Sequence, residues 1–146
     1  MSSLYERLER LVQIARYIFS TYKTDICPNG ILNSFPRGAC GLSSEFLGKY
    51  LIDLGFTNVK RVSGKRNFET HAWLSVDDLI VDITSDQFPD GLSPVYIGEL
   101  SIFHKSFTLD PYTNSEPNIS IALQQEFSIF VKLMERDEIK KYIYWY

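Results

Sequence analysis

Apolar residues Leu4, Leu8, Leu11, Val12, Ala15, Ile18, Phe19 and Tyr22 recur at intervals of three and four, while Glu6, Arg7, Glu9, Arg10 and Arg16 fall mostly on other faces. This spacing predicts an amphipathic helix over residues 4–23. Pro28-Asn29-Gly30 and Phe35-Pro36-Arg37-Gly38 then mark a loop, with Pro36 disfavouring helix at Phe35. A second helix is expected from about Cys40, with Phe46, Leu47, Tyr50, Leu51 and Leu54 on its apolar face and Gly55 at its end. Three strand-like segments follow: Asn58–Val62, Thr70–Val76 and Leu79–Ile83. Asp77-Asp78 reads as the turn of a hairpin between the last two, although it lacks the glycine most two-residue turns favour.

The rest of the chain is less regular. Residues 85–94 are rich in Pro, Gly, Asp and Ser and read as loop, Val95-Tyr96-Ile97 as a short edge strand, and 104–117 as irregular. A last helix is expected from Asn118 or Ser120, both good N-caps, with Ile119, Leu123, Phe127, Phe130, Val131 and Met134 as its buried stripe. The aromatic tail Ile139–Tyr146 continues that helix or forms a strand. No internal repeat or low-complexity segment is present. The order of elements predicts an α+β class, with N-terminal helices packed on a small antiparallel sheet and a C-terminal helix.

Composition narrows the possibilities. A chain of 146 residues fits one domain, and at 45% hydrophobic content it supports one core without staples. The high aromatic share, much of it near the ends, points to aromatic-rich packing by the terminal helices. A net charge of −3 and a pI near 5.4 argue against a nucleic-acid surface. The longest basic cluster, Lys60-Arg61 to Lys65-Arg66, is interrupted and brief and reads as a solvated hairpin rim. No signal-like segment opens the chain, and no apolar run approaches the roughly 18 residues needed to cross a bilayer. A cytoplasmic protein with Cys27 and Cys40 as free thiols is the simplest expectation, although export without an N-terminal signal would look the same. Cys27, Cys40, His71 and His104 match no compact zinc spacing, and no phosphate loop, serine elbow or dinucleotide fingerprint occurs, so neither metal nor cofactor is expected.

Three residues carry chemistry when taken together. Cys40 stands at the predicted start of a helix, where free backbone N–H groups and the helix dipole stabilise a thiolate. Gly38, Ala39 and Gly41 leave room beside it for a carbonyl. On its own, such a cysteine is more often a buried structural residue. His71, Trp73 and Ser75 share one face of their strand. Asp82, between Val81 and Ile83, is an odd place for a carboxylate, and if buried its charge needs a partner. A hairpin turning at Asp77-Asp78 sets Asp82 near Trp73, with His71 one diagonal step away on the same face. That is the arrangement in which a carboxylate orients an imidazole and the imidazole deprotonates a thiol. Asp77 and Asp78 are better explained by the turn. Asp86 is a candidate for the site rim, and Gln87 for its lining.

The segment Arg37-Gly38-Ala39-Cys40-Gly41, the helix ending in Leu54-Gly55-Phe56, His71-Ala72-Trp73 and Val81-Asp82-Ile83-Thr84 resemble, in that order, the transglutaminase-like superfamily of the papain-like fold. The resemblance covers residues 36–88, about a third of the chain. It implies a single transglutaminase-like domain over 1–146, with Cys40 as nucleophile, His71 as general base and acid, and Asp82 as the residue orienting the imidazole. The Cys40 N–H is then an oxyanion donor, with Asn33 a candidate side-chain donor, Trp73 packing beside the site and Thr84 hydrogen-bonding locally. The implied chemistry is attack on a peptide or protein amide, or an ester, through a thioacyl-enzyme. Water as acceptor gives a cysteine peptidase or glutamine deamidase, and an amine gives an acyl transferase. The chain lacks the extra β-domains and acidic calcium loop of large transglutaminases. The rival readings are a non-catalytic papain-like interaction module and an arylamine N-acetyltransferase-like enzyme, for which this length leaves little room for a coenzyme A site.

Overall fold

The computed structural model describes residues 3–112 and 114–144, with side chains described only as far as residue 138. Helix α1 (Leu4–Thr21) starts where the Ser3 hydroxyl accepts the Glu6 backbone N–H at 3.1 Å. It buries the stripe from Leu8 to Phe19. The expected helix over 4–23 breaks at Tyr22, and a short helix, α2 (Lys23–Ile26), follows. Ile26, its last residue, and Cys27, which follows it, are buried in the core. After a series of turns comes α3 (Cys40–Asp53). It ends as its sequence predicts: Gly55 takes φ +98°, its N–H bonds to the Ile52 carbonyl, and the Phe56 N–H bonds to the Leu51 carbonyl.

Five strands form one antiparallel sheet in the order β4-β3-β2-β1-β5. They are β1 (Val59–Arg66), β2 (Glu69–Val76), β3 (Leu79–Asp82), β4 (Tyr96–Gly98) and β5 (Thr108–Leu109). The β2–β3 hairpin has the expected register, pairing Leu74 with Val81 and Val76 with Leu79. Its turn places both Asp77 (φ 47°) and Asp78 (φ 69°) in the left-handed region, a conformation short Asx side chains tolerate.

β1 runs four residues past the expected Val62, with Lys60 and Lys65 exposed as a solvated rim but Arg61 and Arg66 drawn into contacts. The Arg66 guanidinium lies 4.5 Å from the Phe107 ring centroid and bonds to Asp90 and Glu69. Arg61 pairs with Glu45 of α3 at 3.0 Å. The expected irregular stretch also holds structure, because Phe103 and Phe107, four residues apart, bury against the sheet. A short helix, α4 (Ile102–Lys105), lies there, capped by Ser101. At the C-terminal end the chain forms a 3₁₀ turn over Ile121–Leu123 before α5 (Gln124–Tyr144), so the regular helix starts later than expected. Of the aromatic tail, the backbone continues the helix through Tyr144, while Trp145 and Tyr146 fall outside the described residues.

The class is α+β. Helices α1, α3 and α5 share one core with Leu74, Val76 and Val81 of the sheet, where Phe19 stacks on Phe130 at 4.7 Å. A smaller cluster of Val62, Trp73, Ile80, Phe103 and Phe107 includes residues of alternate parity on β1 and β2, on the other face. Among the described residues no helix is long and apolar enough to cross a membrane.

Helix α3 owes its seat to Gly48. A Cβ there would stand 2.4 Å from Pro117 Cγ and 2.9 Å from Leu74 Cδ2. Overpacking of this kind costs about 1–3 kcal/mol. Gly48→Ala is therefore expected to lower the urea midpoint with an unchanged slope, measured by equilibrium denaturation.

Candidate active site

Cys40 is the first residue of α3, and its thiol is partly exposed. The preceding residue, Ala39, is fully buried and its carbonyl accepts both the Ser43 N–H and the Ser43 hydroxyl, which fixes the first turn. β3 pairs with β2 only along Leu74–Val76, and the thiol accepts a hydrogen bond from the Ala72 backbone further along β2. The thiol therefore rests against the strand that carries His71.

His71 Nε2 lies 2.7 Å from Asp82 Oδ2, and both side chains are fully buried. Its other side is hydrogen-bonded to Cys40. Since Nε2 is held by Asp82, Nδ1 is the nitrogen facing the thiol. Asp82 accepts a second imidazole, His104 Nε2, at 2.7 Å on the same oxygen, and the Thr84 backbone N–H at 2.9 Å on Oδ1. Ser101 Oγ lies 2.7 Å from His104 Nδ1.

The electrostatics follow from this wiring. Burial pushes the Cys40 thiol up, but the hydrogen bond and positive charge of His71 outweigh it, and its pKa is lowered. Burial likewise opposes charge on His71, but the bonds to Asp82 and Cys40 raise it to about 9. Asp82 is held down at about 2 despite its burial, by His104 first and then by His71. The shifts favour the charged forms of all three groups: a thiol bonded to an imidazole, above a carboxylate held ionised. Cys27 contrasts with it, because burial, followed by the charge of Glu126, raises its thiol.

Beside the thiol opens a cleft of about 200 Å³, lined by Cys40, His71 and Ala72 together with Arg61, Ser63, Gly64, Lys65, Thr70 and Asp110. The direct pairs Ser63–Ala72 and Lys65–Thr70 put four of these residues on one face of the sheet. Gly64 keeps the far wall tight, since a Cβ there would stand 2.8 Å from the Thr108 carbonyl oxygen.

Cys40, His71 and Asp82 are thus brought together. Gln87 joins them, with Nε2 3.4 Å from His71 Nδ1. Trp73 is buried behind the site, its ring 5.5 Å from that of His71. Asn33 is not brought in: it is exposed, its amide faces Gly30, and its carbonyl accepts from Lys23. Asp86 also turns away, held by Arg16 in a bidentate pair at 2.7 and 2.9 Å. The same guanidinium donates to the Ile83 carbonyl at 2.7 Å and lies over Phe35. Arg16 therefore holds the middle of the turn at Ser85–Gln87, which presents Gln87, to the chain just before it.

Sequence reasoning missed Arg16 and His104 as parts of this assembly. A signal for His104 existed in Ser101 three residues earlier, a capping spacing, and in the flanking Phe103 and Phe107. His71, Asp82 and His104 have the chemistry of metal ligands and lie within 4.8 Å of one another. A single carboxylate oxygen placed 2.7 Å from each Nε2 is hydrogen-bond geometry, tighter than ligands spread around a zinc ion. Comparison with family models, with curated proteins and with solved structures finds no match to this chain.

Two outcomes are expected. Iodoacetamide labels Cys40 quickly below about pH 7, whereas Cys27 stays unlabelled in the folded protein, as read by peptide mass mapping. The second concerns stability. A carboxylate held at about 2 against an ordinary 3.8 contributes stability that is full above pH 3.8 and lost as pH falls through 2. Asp82→Asn flattens that acid limb in pH-dependent denaturation. His71, raised from its ordinary 6.5 to about 9, contributes stability that is full below pH 6.5 and lost as pH rises through about 9.

Proposed function

We propose that this protein is a thiol-dependent amide or ester hydrolase or acyl transferase, built on a papain-like fold of the transglutaminase-like kind. One observation carries the proposal: a helix-start thiol bonded to an imidazole whose far nitrogen is held by a buried carboxylate, beside an open cleft. A buried structural cysteine has no need of this apparatus. The order of the motifs, helix-start Cys40, strand His71 and adjacent-strand Asp82, supports the family reading.

In the proposed cycle the Cys40 thiolate attacks the carbonyl carbon of the substrate. The oxygen that becomes negative is received by the Cys40 backbone N–H and by Gln87 Nε2, which stands on the thiol side of the imidazole. His71 Nδ1 gives its proton to the departing amine or alcohol, leaving a thioester and a neutral imidazole. Water or an amine then attacks the thioester as Nδ1 takes its proton, and the thiolate departs. Asp82 keeps the imidazole ring aligned throughout without itself gaining a proton.

The cleft's size bears on the substrate. About 200 Å³ is smaller than the roughly 300–1,000 Å³ that encloses a drug-sized ligand. It suits a carboxamide side chain or a short stretch of peptide better than a bulky acyl carrier, which favours a peptide or protein amide as substrate. The test is mass analysis of a glutamine-containing peptide incubated with and without a primary amine. Deamidation or chain cleavage is expected without the amine, and an amine adduct with it if the acceptor site admits one. Cys40→Ser abolishes every product, and Gln87→Ala slows turnover by about 10²–10³-fold, the usual effect of losing one oxyanion donor. Fast labelling of Cys40 with no product from peptide amides or esters would instead favour a binding module on this scaffold.

A further inference from the structure

We propose that His104 is a positioning residue for the thiol chemistry, acting through Asp82 to hold His71 in the tautomer and orientation that Cys40 requires. The inference rests on the proposed use of Cys40 as a nucleophile and adds a fourth member to that site.

The argument begins with proton accounting around His104. The Ser101 hydroxyl oxygen accepts the His104 backbone N–H at 3.1 Å as the cap of α4. Its own proton is then free to go to Nδ1, 2.7 Å away. Nδ1 thus serves as an acceptor, and the ring proton sits on Nε2, pointing at Asp82 Oδ2, 2.7 Å away. A carboxylate oxygen there would repel a bare nitrogen, so the Asp82 end requires a proton on Nε2, and the Ser101 hydroxyl is placed to complete that tautomer at Nδ1. The helix cap, through a single hydroxyl, turns His104 into a fixed donor.

The second step is what that donor does for His71. Asp82 Oδ2 accepts from His104 and His71 together, and Oδ1 is taken by the Thr84 N–H. With two donors independent of His71, the carboxylate stays ionised and stationary while His71 gives up and regains its Nδ1 proton. With His104 gone, Oδ2 would have only the imidazole it is meant to orient, and a buried carboxylate short of donors drifts toward its protonated form. A protonated Asp82 no longer requires a proton on His71 Nε2, so the imidazole can present a bare Nε2 and a protonated Nδ1 with no charge to share with the thiol.

Other groups facing this cluster do not substitute. The Tyr96 ring of β4 lies 5.6 Å from His104, with its hydroxyl engaged on the Glu99 carbonyl. Arg66 of β1 reaches the cluster only through the rings of Phe88, Phe103 and Phe107, its charge met by Asp90 and Glu69. Cys40 approaches from α3 on the opposite side of His71. Trp73 packs its ring 4.7 Å from His104, and its indole N–H has no hydrogen-bond partner among the described residues, so it supplies no donor to Asp82.

The experiment has two arms. In the first, the pH dependence of iodoacetamide labelling at Cys40 is measured for the unsubstituted protein, His104→Leu and His104→Gln. His104→Leu is expected to move the labelling midpoint up by about one pH unit, a tenfold loss of reactive thiolate on the acid side. Gln, whose terminal N–H₂ can take the place of Nε2–H, restores the profile to within about threefold. A purely structural His104 would lower the melting temperature in both variants without moving the midpoint, and that result overturns the proposal. In the second arm, nitrogen-15 spectra of the unsubstituted protein and of Ser101→Ala report the ring tautomers directly, whether or not the Leu variant folds. A proton on His104 Nε2 is expected, with loss of that single tautomer in Ser101→Ala. A proton on Nδ1 of His104 in the unsubstituted protein would overturn the inference. Neither readout needs a substrate, so an inert protein toward amides with a shifted labelling profile would count against the proposed function and leave the role of His104 standing.

Discussion

A carboxylate enclosed between a sheet and a cluster of aromatic rings must be satisfied by donors from its surroundings, and Asp82 is met by three. Two imidazole N–H groups converge on one oxygen and a backbone N–H takes the other. Each donor comes from a different part of the chain: β2, the short helix α4 and Thr84, two residues past β3. Leaving such a charge with too few partners would cost several kcal/mol, a large part of a domain's whole stability. Asp82 thereby ties the 101–107 segment, through Phe103 and Phe107 as well as His104, to the far face of the sheet. The same bonds fix the imidazole that meets the thiol, so folding and the site's chemistry draw on one set of contacts.

The reactive end of the assembly is arranged in the opposite manner. Cys40 receives stabilisation from several modest sources: a helix start, the Ala72 backbone and the His71 charge. None of them buries it fully, and the cleft reaches it directly. Arg16 of α1 contributes at a distance by gripping the turn that presents Gln87, and its stacking on Phe35 joins that turn to the helical core. The cluster is thus enclosed at Asp82 and its two imidazoles and open at Cys40.

Much of this was legible in the residues. The hairpin at Asp77-Asp78 fixed the relation of Asp82 to His71, because a two-residue turn between alternating strands leaves one register. The helix start at Cys40 and the Gly55 stop were equally plain. Legibility failed where long-range contact decides the structure. Nothing local marks Arg16 as the partner of Asp86, since a helix surface arginine has the same sequence appearance whether solvated or clamped. The 102–109 segment read as irregular because a four-residue helix and a two-residue strand are too short to show a period. Its order comes from burying Phe103 and Phe107 against the sheet. Asn33 erred in the other direction: nearness in sequence to Cys40 did not become nearness in space, because the turns of the preceding loop carry it outward.

The close seat at Gly48 has a consequence for the sulfur eight residues earlier in the same helix. An α-helix rises about 1.5 Å per residue, so the contact with Leu74 and Pro117 acts about 12 Å from Cys40 along a stiff rod. Pushing the rod outward at that fulcrum would tilt its first turn and change the separation of sulfur and imidazole, a distance to which proton transfer is far more sensitive than folding is. The helix then behaves as a lever, through which a hydrogen-for-methyl difference in the core sets the height of the Cys40 sulfur above its strand. Thiol reactivity becomes a gauge of packing two turns further along the helix, able to register shifts too small to unfold it.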